Sequence, residues 1–120
     1  MPADDPNHTA LREELVRCSP ETIEAAIRYQ TERKAADVPR IVFGILDRYL
    51  PQKSVGALAT ATAETRLIED LGMDSMTLLE VVMTAEVVFG IRVANKELKD
   101  ILTIGKMEEF IRRKVAADGA

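Results

Sequence analysis

The chain has 120 residues, 47% of them hydrophobic and 30% charged, with a formal net charge of −4. That balance describes one well-solvated globular protein and excludes a disordered chain, while the acidic sum argues against a nucleic-acid binder, which needs a basic surface. No apolar run approaches the roughly 20 residues of a membrane span, no basic-then-apolar stretch opens the chain as a signal peptide, and the lone Cys18 has no internal disulfide partner, so a cytoplasmic protein is expected.

Met1 to about Thr9 is polar, with two prolines, and reads as a loose tail. Leu11, Leu15 and Val16 predict a short amphipathic helix over Ala10–Arg17. Ser19-Pro20-Glu21 is a helix start: the hydroxyl can cap, proline suits the first helical position and an acid suits the positive end of the dipole. Ile23, Ala26, Ile27 and Gln30 continue it at helical spacing to about Ala35. Asp37-Val38-Pro39 begins a third helix, with Ile41, Ile45, Leu46 and Tyr49 on one face, ending at Pro51. Pro51 to Met73 lacks a clean period and reads as a long connection whose Leu67, Ile68 and Leu71 dip into the core; such loops are often functional. Asp74-Ser75 opens the strongest helix, which runs to about Phe89 before Gly90 ends it. Ile91 and Val93 are too brief for a strand. Asn95 can cap a short helix to Ile101. Thr103 can cap the last helix, Ile104 to Ala117, with Met107, Phe110 and Ile111 inward. The pattern is all-α.

Charge is distributed unevenly. From Glu64 to Glu86 six acids face Arg66 alone, whereas from Val87 to Ala117 seven bases face four acids. Solvated helix faces would produce this, and so would an acidic collar that steers basic partners to one place.

Glu69-Asp70-Leu71-Gly72-Met73-Asp74-Ser75-Met76 is the stretch that carries chemistry. Ser75 follows a glycine turn at the mouth of a helix, where an anionic group is electrostatically favoured. A serine there is more often a simple cap, so these residues alone leave the matter open. The wider pattern does not. Leu71-Gly72-Met73-Asp74-Ser75-Met76, with Glu80, Val82, Met83, Glu86, Phe89 and Ile91 after it and Arg66-Leu67-Ile68-Glu69-Asp70 before it, resembles the acyl carrier protein family over about Val38 to Ala117. The resemblance implies a four-helix bundle of three longer helices and one short, here at residues 37–117, with an atypical helical extension at 1–36 and a tail at 118–120. It implies 4′-phosphopantetheine on Ser75, installed from coenzyme A by a separate transferase that recognises Asp74. Acyl groups would ride on the arm's thiol to synthases, reductases, dehydratases and acyltransferases. The carrier itself would catalyse nothing and would be a monomer. No His/Cys/carboxylate cluster has metal spacing, and no base is evidently paired with Ser75, so a hydrolase is a poor alternative.

The helix after Ser75 has two apolar stripes. Leu78, Val81, Val82, Ala85, Val88 and Phe89 make a core stripe. Met76, Leu79, Met83 and Val87 make a second, which is either buried or docks partners together with Glu80 and Glu86; the family uses this helix for docking. Val87 and Val88 stand where typical members carry acids, and Arg92 and Lys96 add positive charge, which implies more apolar docking and a specialised pathway. The family also implies an acyl pocket, with Ile68, Leu71, Leu78, Val82, Phe89, Ile101 and Ile111 as candidate lining, each equally well read as ordinary core. Residues 1–36 either pack on the carrier and cover part of the second stripe, or dock a dedicated enzyme. Remaining alternatives are a peptidyl, aryl or D-alanyl carrier, disfavoured by Asp74 before Ser75, and an unmodified interaction module.

Overall fold

The computed structural model describes residues 6–51 and 56–118. Five helices are arranged in the order α1 (Pro6–Glu14), α2 (Pro20–Glu32), α3 (Asp37–Tyr49), α4 (Ser75–Phe89) and α5 (Ile104–Asp118), with 3₁₀ turns at Ala57–Thr60 and Asn95–Ile101. Among the described residues there is no strand, only an isolated antiparallel bridge between Arg66 and Thr103. The expected all-α, carrier-like bundle with helices ahead of it is what the chain forms.

Local chemistry explains most of the boundaries. Ser19 caps α2, its hydroxyl accepting from the Thr22 N–H at 3.2 Å, with Pro20 in the first turn. That helix stops at Glu32 rather than Ala35, because Arg33 turns left-handed (φ 56°) and its N–H closes on the Tyr29 carbonyl. Thr103 caps α5 as expected, accepting from the Lys106 N–H. The short helix begins one residue earlier than expected: Ala94 occupies the cap, its N–H bonded to the Glu97 carboxylate at 2.9 Å, and the segment winds as 3₁₀. In the first helix the start lies at Pro6, inside the stretch expected as a tail. Its end at Glu14 leaves Val16 70% exposed, a correction to the expected apolar face.

The core is shared. Leu11 and Leu15 from the first segment and Ala25, Ala26 and Tyr29 from α2 are buried in one cluster with Ile41, Ile45 and Leu46 of α3, Val81, Val88 and Phe89 of α4, and Ile104, Phe110 and Ile111 of α5. The N-terminal helices therefore pack on the rest of the bundle. On α2 the inward face is centred on Thr22, Ala25, Ala26 and Tyr29, with Ile23 and Ile27 only half-buried. That face lies about one residue from the expected one. Small residues allow a close approach here: a Cβ at Gly44 of α3 would overlap the Thr22 side chain. Arg28 then fastens the two helices, donating to both oxygens of Asp37 at 3.1 and 3.3 Å. Across α4, Gln30 donates to the Val88 carbonyl at 2.7 Å, and the Tyr29 and Phe89 rings meet edge-on at 5.2 Å.

The long connection is tied down at its C-terminal half. Leu67 N–H donates to the Leu102 carbonyl, Ile104 N–H to Thr65 and Gly105 N–H to Ala63. Residues 66–72 then form a turn in which the N–H groups of Asp70 and Leu71 return to the Arg66 carbonyl. One turn of this geometry puts Leu67 and Leu71 inside and rotates Ile68 outward, where it is 36% exposed. Ile68 is thus not the core or pocket residue it was expected to be; Met73, 2% exposed, is buried instead.

Candidate functional site

The turn delivers the chain to α4 under tight control. Gly72 takes a left-handed conformation (φ 74°), which reverses the backbone between two buried anchors, Leu71 and Met73. Arg66 clamps the turn from outside. Its N–H donates to Asp70 Oδ2 at 2.8 Å and its guanidinium donates to both Asp70 oxygens at 3.1 and 3.3 Å. That guanidinium holds the Asp70 carboxyl below the usual carboxylate range.

Asp74, rather than Ser75, caps α4. Its backbone is extended, and its Oδ1 accepts from the Thr77 N–H at 2.8 Å. That backbone bond pulls the Asp74 carboxyl below its ordinary value, so it is ionised at neutral pH. Ser75 is consequently the first residue of the helix proper. Its side chain is exposed, and its hydroxyl takes no hydrogen-bond partner among the described residues. A free hydroxyl beside the unsatisfied N–H groups of a helix start suits a phosphate ester, because those groups and the helix dipole favour negative charge.

The two stripes of α4 separate cleanly. Leu78, Val81, Val82, Ala85, Val88 and Phe89 are all buried. Met76, Leu79, Met83 and Val87 are 69%, 41%, 61% and 47% exposed, so the second stripe is open and α1 leaves it uncovered. Glu80 is exposed beside it. Glu86 is half-buried, and one carboxylate oxygen accepts from the Val93 N–H at 2.8 Å, so it holds the segment after Gly90 in place. The stripe ends in a shallow depression where Glu14 of α1 joins Met83, Val87 and Arg92. Of the candidate pocket residues, Leu71, Leu78, Val82, Phe89, Ile101 and Ile111 come together in the core, and Ile68 stands apart on the surface. Sequence inspection missed the Arg66–Asp70 clamp, although the i, i+4 spacing of opposite charges was there to be read. It also missed Met73 as an anchor, which no periodicity marks.

Among the described residues no group of His, Cys, Asp and Glu could hold a metal ion, and no helix is long and apolar enough to cross a membrane. The fold is a helical bundle that offers an exposed serine at the start of α4. The family model for the phosphopantetheine attachment site matches residues 54–111, a span that begins after α3 and takes in α4 and the first half of α5. An acyl carrier protein of Thermotoga maritima is 41% identical over 54 residues, covering 45% of this chain and 67% of that one. Those of Amoebophilus asiaticus and of the Aster yellows witches'-broom phytoplasma are 33% and 36% identical over 60 and 58 residues, covering 50% and 48% of this chain and 75% and 76% of theirs. The chain belongs to the acyl carrier protein family; phosphopantetheine is its cofactor, and it carries substrates for other enzymes rather than acting as one.

Proposed function

We propose that Ser75 bears the phosphopantetheine arm and that the open face of α4 presents the loaded arm to partner enzymes. The observation behind this is the division of labour at the helix start: Asp74 takes the capping bond, and the Ser75 hydroxyl is left exposed and unpartnered. The arm supplies a terminal thiol on which acyl groups are held as thioesters. Ser75 Oγ holds the phosphodiester, and the first N–H groups of α4 face its charge. The ionised Asp74 gives the modifying transferase a fixed negative mark next to the acceptor. Arg66 and Asp70 keep the turn in one shape, so the acceptor is offered in one position.

Met76, Leu79, Met83 and Val87, with Glu80 and Asp74 around them, form the docking face for synthases, reductases, dehydratases or acyltransferases. Apolar contact carries more of that docking than charge does, since Val87 extends the apolar stripe and Glu86 is committed to Val93. Leu71, Leu78, Val82, Phe89, Ile101 and Ile111 offer an interior that a tethered acyl chain could enter by parting the helices. This composition suits a fatty-acyl pathway or a specialised lipid or polyketide pathway.

The test is incubation with coenzyme A and a broad-specificity phosphopantetheinyl transferase, followed by intact-mass measurement. A gain of one phosphopantetheinyl group, absent in Ser75→Ala, is expected. No gain under conditions that modify a control carrier would leave an unmodified interaction module.

A further inference from the structure

At the other end of α4 the extension creates a feature that the carrier role does not use. A half-open cleft of about 270 Å³ lies where α2, α3 and α5 meet. Its walls are apolar (Ala35, Val38, Val115 and the ring of Tyr29), and its charged lining residues, Arg33 and Arg112, are both cationic. Nearby acids are occupied elsewhere: Asp37 with Arg28 and Glu32 with Lys34, each at 3.1 Å. Glu108, one turn before Arg112 on α5, offsets part of the second charge.

Two further observations point to a ligand. Tyr29 is 1% exposed, and its buried hydroxyl meets no acceptor among the described residues; the Arg33 guanidinium beside it can only donate, so the phenolic proton is left without a partner. Native interiors rarely leave such a group unpaired. Arg33, whose guanidinium lies 5.6 Å from the centroid of the Tyr29 ring, is also the one non-glycine residue with positive φ among the described residues. Glycine is the usual occupant of such a helix end, so an arginine there is held at a conformational cost. Tyr29 abuts Phe89, the last residue of α4, so the cleft sits about 21 Å along that helix from Ser75.

We propose that this cleft is a second ligand site that binds a small apolar molecule bearing one anionic group. The anion lies between Arg33 and Arg112, the apolar part rests on Val38 and Val115, and an oxygen of the ligand accepts from the Tyr29 hydroxyl. The volume is just below the roughly 300–1,000 Å³ typical of small-molecule sites, so a short amphiphile fits and a long chain does not. The site does not depend on Ser75.

The test uses the full chain, ¹⁵N-labelled and titrated with octanoate, octanol and inorganic phosphate. Octanoate should give saturable shifts at the amides of Arg33, Val38 and Val115, with octanol and phosphate each weaker by about tenfold or more. Arg33→Gly relaxes the strained helix end, so its melting temperature should hold while octanoate affinity falls about tenfold. Tyr29→Phe should fold normally and also weaken octanoate. Ser75→Ala should bind as the parent does, whatever the fate of the carrier assignment. Absence of saturable shifts, an equal response to octanol, shifts centred on Leu78 and Val82, or unchanged affinity in both Arg33→Gly and Tyr29→Phe would overturn the proposal.

Discussion

Gly44→Ala separates a packed extension from a loosely attached one by the sign of its effect. Alanine in place of glycine within a helix is favourable by about 1 kcal/mol when nothing else changes. Here the new Cβ would overlap the Thr22 side chain, so α2 must shift away from α3. Overpacking of this kind costs about 1–3 kcal/mol. The shift also strains the Arg28–Asp37 clasp and the Gln30–Val88 bond. After the helix gain is subtracted, a net loss of up to about 2 kcal/mol is expected. In urea denaturation followed by circular dichroism this appears as a lower midpoint with unchanged slope. Thr22→Ala removes the opposing atoms, so the double variant should be more stable than the sum of the single losses predicts. A stabilised Gly44→Ala, or strict additivity with Thr22→Ala, would refute the packing of α2 on α3.

Tyr49→Phe should cost about 1 kcal/mol, because the Thr84 hydroxyl donates to the Glu80 carbonyl and so its oxygen accepts from the Tyr49 hydroxyl; thermal melting reads the loss. Met83→Glu should change stability by no more than about 0.5 kcal/mol, since the side chain is exposed, yet reduce turnover by partner enzymes in a reconstituted assay. Asp74→Asn keeps a good cap and should melt close to the parent, while the transferase should modify it more slowly if the charge is what it recognises. The depressed carboxyls of Asp37, Asp70, Asp74 and Glu97 contribute stability that is present above their unfolded values of about 4 and is lost as the pH falls through the folded ones. Glu108, pushed up by burial, works in the opposite direction and offsets part of that loss. Denaturation midpoints should therefore drop below about pH 4.

Much of the α4 region was legible because each signal there is local. Asp74-Ser75 at the start, Gly90 at the end and two apolar periods between them need no distant partner to be understood. Even so, the exposure of Met76, Leu79, Met83 and Val87 had to wait for the structure, since a stripe looks the same whether a neighbour covers it or not. Where expectation failed, the deciding partner lay far away in the chain. Ile68 turns outward because Leu67 is pinned by the Leu102 carbonyl. The inward face of α2 is set by Gly44, which no pattern within α2 reveals. Glu86 was counted as a surface acid because Val93, its partner, follows the helix end. The Tyr29 cleft draws its lining from three helices, so nothing in any one segment announces it.

Fragment-ion mass spectrometry of the modified chain tests the carrier assignment most directly. All of the added mass should reside on the side chain of Ser75, at a stoichiometry of one. Added mass on any other hydroxyl, or a Ser75 peptide that stays unmodified after exhaustive reaction, would contradict it.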